Sequence, residues 1–124
     1  MRHGRAARGR REHGWFVRAR IERIHEAYLL LLLRDRPAHG YELLEQLPGL
    51  VGQERVEAGN VYRLLRALEE AGAVRSEWNA ALPGPARRTY ELTPLGRRLL
   101  DQWAESLRAA SGRISKFLDR YEGR

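Results

Sequence analysis

The sequence predicts a mainly α-helical protein with a small β-hairpin, arranged as a winged helix-turn-helix domain followed by a long C-terminal dimerisation helix. Apolar residues recur at helical spacing in several segments, and two short runs of alternating polarity flank a Pro-Gly-Pro sequence at 83–85. The C-terminal segment carries an unbroken apolar heptad pattern. These features divide the chain into a basic tail at 1–14, a winged helix-turn-helix domain at 15–93 and a dimerisation helix at 94–124.

Composition narrows the classes of function. A chain of 124 residues has room for one domain with a modest core. It has no cysteine, which excludes disulfides and thiolate metal sites and is compatible with a reducing cytoplasm. The four histidines are not paired at i, i+4, and the sequence lacks a phosphate-binding glycine motif or a nucleophile elbow. We therefore expect a cytoplasmic protein that is not an enzyme and has no metal and no cofactor.

The positive charge is concentrated at the N-terminus. The chain has 23 basic and 16 acidic residues, a net charge of +7. Residues 1–20 hold seven arginines and a single acid, Glu12, so most of the excess lies there. The Arg- and Gly-rich stretch at 1–14 has no apolar periodicity, which predicts disorder. Such a tail either attracts phosphates without sequence choice or serves only to keep the chain soluble.

The first helix is predicted from Trp15 to Arg34. Its apolar positions step by four and three residues, as in a coiled-coil seam: Val17, Ile21, Ile24, Tyr28 and Leu31. The leucine run at 29–33 widens the apolar stripe, yet it is far too short to cross a membrane, which takes about 20 residues. We infer that this helix is covered on two sides, by its own domain and by a partner chain.

A short second helix is predicted to begin at His39 and to end at Pro48-Gly49. Its core face is formed by Leu43, Leu44 and Leu47. His39 is expected to cap this helix. Tyr41 is expected to pack against the first helix or against the wing, which is the β-hairpin predicted below. The segment 48–57 would then be the turn of the helix-turn-helix, longer than the minimal turn of about three to four residues.

The next helix carries the features of a DNA-recognition helix. An apolar face at i, i+3, i+4 and i+7 is formed by Val61, Leu64, Leu65 and Leu68. The opposite face presents Asn60, Tyr62, Arg63 and Arg66. Arginine pairs with guanine edges, asparagine with adenine and tyrosine with phosphate, so this face is equipped for the DNA major groove. On spacing alone a solvated polar face is the alternative, in which Arg66 would form a surface ion pair with Glu69 or Glu70.

A β-hairpin is predicted after this helix. Gly72 is placed where a helix end needs a left-handed residue. Two runs with period-two alternation, 74–79 and 88–92, flank the Pro-Gly-Pro sequence. Arg87 and Arg88 lie beside the predicted tip, where a thin projection can follow a phosphate backbone. A helix followed by a basic hairpin is the winged-helix pattern.

Three motifs of the chain resemble the PadR family of bacterial transcriptional regulators. They are HGYELL at 39–44, YRLLRALEEAG at 62–72 and GPARRTYELTPLG at 84–96, and their order and spacing match as well. The resemblance implies a DNA-binding dimer made by the first and last helices, in a family whose members often respond to phenolic acids or hydrophobic drugs. Two positions depart from the family pattern: Glu57-Ala58 replaces the usual Ser-Pro pair, and Arg63 replaces the usual Pro.

The last helix is predicted to start at Thr93-Pro94, with Thr as the N-cap and Pro at the first helical position, and to reach about Tyr121. Its seam runs through Leu100, Trp103, Leu107, Ala110, Ile114, Phe117 and Tyr121. A domain this small cannot cover a seam along a helix of about 42 Å, so we predict a homodimer. The predicted interface comprises Ile21, Ile24, Tyr28, Leu100, Trp103, Leu107, Ile114 and Phe117.

Trp103 lies on this seam, where we expect it to face its symmetry mate or the partner's first helix. Two interpretations stay open. Either Trp103 belongs to the dimer core, or it lines an apolar chamber for a small aromatic or hydrophobic effector. In the second case Leu107, Trp15 and Phe16 would complete the pocket.

The residues and the resemblance together predict a DNA-binding transcriptional regulator. We expect a repressor that binds a pseudo-palindromic operator as a homodimer. It would be released when a small hydrophobic effector, or another signal, changes the angle between the two DNA-binding domains of the dimer. The alternative is a winged-helix module for protein–protein contact or dimerisation, without specific DNA binding. A module that does not bind DNA would scatter its arginines or balance them with acids. The regulator hypothesis therefore predicts that four arginines lie on one surface: Arg63, Arg66, Arg87 and Arg88. The alternative predicts that they are scattered or balanced by acids.

Overall fold

The computed structural model describes residues 24–52, 56–79 and 87–124 of the chain. Helix α1 covers residues 24–35 of this part, and the strand β1 (Ala38–His39) and helix α2 (Gly40–Val51) follow. Helix α3 (Ala58–Glu70), the strands β2 (Val74–Asn79) and β3 (Arg87–Leu92) and helix α4 (Pro94–Glu122) come next. This order confirms the predicted fold class. The predicted basic tail and the Pro-Gly-Pro tip of the hairpin lie outside the described residues.

The hydrophobic core lies where the first three helices meet the inner face of the sheet. Its fully buried large side chains are Leu29, Leu30, Leu43, Leu47, Val61, Leu65 and Val74. Burying a side chain such as leucine contributes roughly 1.5–3 kcal/mol. The predicted apolar face of α3 is therefore confirmed, with Leu64 half-buried at its edge.

The sheet has a third strand that the sequence pattern does not predict. The strands are antiparallel in the order β1-β3-β2. In β1, Ala38 pairs with Tyr90 and His39 with Thr89. The predicted hairpin is present, with a register that runs from Val74 opposite Leu92 to Asn79 opposite Arg87. A strand of two residues is too short to show any alternation, so only its pairing with β3 defines it.

Helix α2 does not end at Pro48-Gly49 as predicted but continues to Val51. Proline removes one helical N–H donor, and here it does so in the last turn, where few further bonds depend on it. Gly52, with a φ of 73°, forms the left-handed C-cap, and its N–H donates to the carbonyl of Pro48 at 3.1 Å. The connection to α3 is therefore residues 52–57, shorter than the predicted 48–57.

The start of α2 is tied both to its own first turn and to the sheet. His39 is the N-cap residue, and its backbone N–H donates to Oε1 of Glu42 at 2.8 Å. Its ring atom Nδ1 lies 3.2 Å from Oγ1 of Thr89 on β3. Tyr41, which was expected to pack against the wing or α1, is 61% exposed.

The junction between the wing and α4 is held by Thr93. Its hydroxyl donates to the carbonyl of Gly72 at 2.6 Å and accepts from the N–H of Gly96 at 3.0 Å, which confirms the predicted N-cap. Its own N–H donates to the carbonyl of Ala73 at 3.1 Å. The first turn of α4 is thereby fixed against the turn that joins α3 to β2.

Candidate nucleic-acid interface

The polar face of α3 is exposed to solvent as predicted. Asn60, Tyr62, Arg63 and Arg66 all lie on it. Nη1 of Arg63 donates to Oδ1 of Asn60 at 2.7 Å, so the two side chains at the N-terminal end of the helix form one hydrogen-bonded unit. Because a guanidinium has five N–H donors, this bond uses one of the groups with which Arg63 can reach a base edge or a phosphate.

Tyr62 has a structural reason for its position that the sequence does not show. Its ring lies over the backbone of Gly40 at the start of α2, so closely that a Cβ added at Gly40 would stand 2.5 Å from Cε1 of the ring. The ring is 39% exposed. Gly40 therefore lets α3 approach α2, and the ring of Tyr62 occupies that contact while part of it stays exposed to solvent.

On the wing, the guanidinium of Arg88 lies over the exposed ring of Trp78. Trp78 on β2 and Arg88 on β3 are opposite each other in the register. Cζ of Arg88 lies 5.2 Å from the centroid of the Trp78 ring, a cation–π distance, and Trp78 is 62% exposed. Nε of Arg88 also donates to Oγ of Ser76 at 2.8 Å. Arg88 is thus held on the side of the wing that faces α3.

A groove of about 740 Å³ separates α3 from the wing. Three arginines and one glutamate line it, so its ionic side chains carry a net positive charge. The lining residues are His39, Gly40, Tyr41, Tyr62, Arg66, Glu69, Trp78, Arg87, Arg88 and Tyr90. Asn60 and Arg63 are not among them. The predicted convergence of four arginines is therefore found for three of them, with Arg63 one turn away on the same helix.

Charged groups of the groove surround the hydroxyl of Tyr90. Burial raises the pKa of this phenol, Glu69 and Tyr62 add to the rise, and Arg88 and Arg66 oppose it. On the opposite face of the wing, the pKa of Arg75 is raised by its hydrogen bond to Glu91, from Nε to Oε1 at 3.0 Å. The hairpin thus carries the paired Arg75 on one face and Arg88, which lines the groove, on the other.

The described residues of the predicted dimer interface differ in burial and fall into three groups. Leu100 was expected in the seam, but it is 8% exposed and belongs to the core of its own chain, because the start of α4 packs on the winged-helix domain. Leu107, Ile114 and Phe117 are exposed in the single chain, by 40%, 59% and 69%. Ile24 and Tyr28 on α1 are partly buried.

Trp103 contacts its own first helix. Its indole Nε1–H donates to Oε2 of Glu26 on α1 at 2.9 Å, and the ring is partly buried against the core. The polar edge of the indole therefore faces α1 of its own chain, and contact of the rest of the ring with a partner chain stays a prediction. Trp15, Phe16 and Ile21 lie outside the described residues.

The described part of the chain has neither a candidate metal-binding cluster nor a membrane-spanning helix. Residues 24–52, 56–79 and 87–124 contain no cluster of three or more His, Asp or Glu that could hold a metal ion. Among the same residues, no helix is long and apolar enough to span a membrane. Sequence reasoning gave no binding role to three residues whose contacts join α3 to Arg88 of the wing: Ser76 and Trp78 were predicted only as strand positions, and Glu69 only as a possible ion-pair partner of Arg66.

Comparison with known proteins gives a consistent result. The sequence profile described as "Transcriptional regulator PadR-like family" matches residues 29–102. An "uncharacterized 37.1 kDa protein in transposon TN4556" of Streptomyces fradiae is 35% identical over 97 residues. These residues are 74% of this chain and 26% of that protein, so the chain spans about a quarter of the length of this relative.

Solved structures resemble the fold over most of its length. A PadR family transcriptional regulator from Eggerthella lenta is 27% identical, with a TM-score of 0.72 over 92% of this chain and 98% of that chain. PadR of Bacillus subtilis, solved in complex with operator DNA, is 23% identical, with a TM-score of 0.59 over 66% of this chain and 47% of that chain. The second likeness concerns the fold alone.

Proposed function

Because this chain belongs to the PadR-like family of transcriptional regulators, we propose that it is a cytoplasmic repressor that binds a pseudo-palindromic operator as a homodimer. Membership in this family of regulators agrees with the expectation that the chain is not an enzyme. One recognition helix would occupy the major groove of each half-site. The observation that carries the proposal is the groove between α3 and the wing, where Arg66, Arg87 and Arg88 converge.

The recognition helix and the wing divide the work of binding. In helix-turn-helix proteins the N-terminal residues of the recognition helix contact base edges, which assigns this role to Asn60 and Arg63. Tyr62 and Arg66 lie deeper along the same helix, beside the groove. Arg87 and Arg88 project from the wing, where phosphate contacts supply affinity with little sequence choice. PadR of Bacillus subtilis, which shares the fold, was solved in complex with operator DNA, and this supports DNA as the partner.

The homodimer is supported by the exposed apolar side of α4. Leu107, Ile114 and Phe117 follow the heptad seam, and the rings of Phe117 and Tyr121 stack with centroids 6.5 Å apart. A row of large apolar side chains on the surface of a single chain marks an interaction site. A second α4, together with α1 of the partner, has the matching apolar stripe, which is why we propose a second copy of this chain as the occupant.

Release by a small aromatic or hydrophobic effector is part of the proposal. Trp103 and Leu107 stand where α4 leaves the winged-helix domain, and Trp15 and Phe16 would complete the pocket. The alternative, in which Trp103 is simply dimer core, makes a different prediction. Flat apolar compounds would then neither quench its fluorescence nor release DNA.

The proposal is tested with the intergenic DNA beside the gene of this protein, in a mobility-shift titration against a random duplex. Arg63→Ala should cost about 1–3 kcal/mol on the intergenic DNA and much less on the random duplex. Arg108→Ala removes the same charge from α4, where Arg108 pairs with Glu105 outside the groove, and should leave both affinities nearly unchanged.

The competing hypothesis, a protein-interaction module, predicts no shift of either DNA by the wild-type protein. Equal losses on both DNAs for Arg63→Ala would instead reduce Arg63 to a phosphate contact. A shift that requires the intergenic sequence and depends on Arg63 supports the regulator.

A further inference from the structure

A chain of polar contacts connects the C-terminal end of the recognition helix to the wing arginine. Oγ of Ser76 donates to Oε2 of Glu69 at 2.7 Å. Nε of Arg88 donates to the same Oγ at 2.8 Å. The guanidinium also stands over the ring of Trp78 at 5.2 Å. Three side chains from α3 and β2 thus fix one side chain of β3.

The chemistry of the hydroxyl gives this chain of contacts a direction. A serine hydroxyl has one proton to donate and two lone pairs to accept with. Because Glu69 is an acceptor, it takes the proton of Ser76, and a lone pair of Ser76 is then turned to the N–H of Arg88. Glu69 therefore sets the orientation of the hydroxyl, and the hydroxyl sets the orientation of the guanidinium.

We propose that Glu69 and Ser76 are positioning residues for DNA binding, which hold the guanidinium of Arg88 ready for the DNA backbone. This inference rests on the proposed function. A free arginine side chain loses rotamer freedom when it pairs with a phosphate, and a side chain that is already held loses less. The bond to Ser76 uses Nε, one of five donors, so it is compatible with a phosphate contact through the amino groups at the end of the guanidinium.

The position of the contacts favours this role over a plain structural bridge. Trp78 and Arg88 are both exposed, and both line the groove between α3 and the wing. The arginine on the other face of the hairpin, Arg75, has a direct ion pair with Glu91 instead. Arg75 is thus neutralised by an acid outside the groove, whereas Arg88 is oriented by a neutral hydroxyl beside it.

Replacement of Glu69 gives a test in which the two effects have opposite signs. Glu69→Ala removes a negative charge from the groove, so charge alone predicts tighter binding of a random-sequence duplex. Loss of positioning predicts weaker binding, by about two- to tenfold. We expect weaker binding, with thermal melting used to verify that the variant is folded. Tighter binding would overturn the proposal.

A double-mutant cycle tests whether Ser76 acts through Arg88. Ser76→Ala should weaken binding of the random duplex with the salt dependence unchanged, whereas Arg88→Ala should flatten the slope by roughly 0.9. The double variant should bind as Arg88→Ala does, and Ser76→Thr, which keeps the hydroxyl, should restore affinity. Ser115→Ala removes an exposed hydroxyl from α4, outside the wing and the groove, and serves as the control. An equal effect of Ser76→Ala with and without Arg88 would refute the positioning role.

A measurement without DNA separates this inference from the proposed function. The Nε–H resonance of Arg88 in the free protein, assigned from its loss in Arg88→Lys, should show an ordered side chain that becomes mobile in Ser76→Ala. A mobile side chain in the wild type would overturn the inference even if DNA binds. An ordered side chain in a protein that binds neither the random nor the intergenic duplex would exclude the proposed function, and with it the role of these residues in DNA binding.

Discussion

We predict that a methyl group added at Gly96 lowers the free energy of unfolding strongly. The residue is buried in the first turn of α4. A Cβ built on it would stand 2.0 Å from the carbonyl oxygen of Ala73 and 2.6 Å from Cδ1 of Leu92. The first obstacle is backbone, so it cannot rotate away, and Gly96→Ala must push α4 off the turn that precedes β2. That shift also separates the N–H of Gly96 from the hydroxyl of Thr93.

The magnitude follows from three contributions. Overpacking costs about 1–3 kcal/mol, and the upper end applies where the obstacle is a backbone oxygen. Loss of the Thr93 cap adds about 1 kcal/mol. The better helix propensity of alanine returns at most about 1 kcal/mol. The free energy of unfolding should therefore fall by about 3 kcal/mol, which lowers the Tm of a small domain by roughly 12–24 °C.

Thermal melting followed by circular dichroism measures this loss, at one protein concentration because the Tm of a dimer depends on it. Gly112→Ala is the matched control. It lies in the same helix, and its added Cβ meets nothing within 4 Å, so it should raise the stability by a few tenths to about 1 kcal/mol. If Gly96→Ala melts at or above the wild-type temperature, α4 does not approach the backbone of Ala73 closely enough to exclude a methyl group, and the reasoning is refuted.

Three further predictions concern the dimer, the recognition helix and pH. Ile114→Glu should dissociate the proposed dimer in sedimentation experiments, because an unpaired carboxylate in an apolar interface costs several kcal/mol, whereas Ser115→Glu beside it should not. Gly40→Ala should displace the ring of Tyr62 and weaken binding of the intergenic DNA without unfolding the domain; Gly49→Ala, which meets no atom, is its control. The raised pKa of Tyr90 means that the folded state favours the neutral phenol. Its stabilising contribution is complete below the unfolded pKa of about 10 and is lost as the pH rises towards the folded pKa, so urea unfolding of Tyr90→Phe should lose less stability than the wild type above pH 10.

The features predicted correctly from the sequence are those with a local period. In α3 the spacing of Val61, Leu65 and Leu68 defines the buried face. The helical period then places the polar residues between them on the solvent-exposed face. In the hairpin the alternation of Val74, Ser76 and Trp78 assigns them to one face. Neither inference requires knowledge of what lies opposite.

The features that were missed depend on partners distant in the chain. Pro48 is read as a helix end because it breaks an interior turn, and only the left-handed cap at Gly52 shows that the helix continues. The strand β1 exists because β3 pairs with it. From the sequence, Tyr62 is interpreted only as a DNA contact. Its packing on Gly40 joins α2 and α3, and the sequence pattern does not show where these two helices cross.

Leu100 shows why the proposed dimer and its regulation belong to different parts of α4. The heptad pattern runs through the whole helix, but it serves two surfaces: Leu100 is buried in its own domain, and Ile114 and Phe117 remain exposed. Because Thr93 and Gly96 clamp the first turn to the end of α3, the recognition helix and the start of α4 must move together. In the proposed dimer, an effector that changes the distance between two recognition helices therefore has to act beyond this clamp. The first place where α4 can shift is Trp103, whose indole donates to Glu26 and so connects α4 to α1 rather than to the wing.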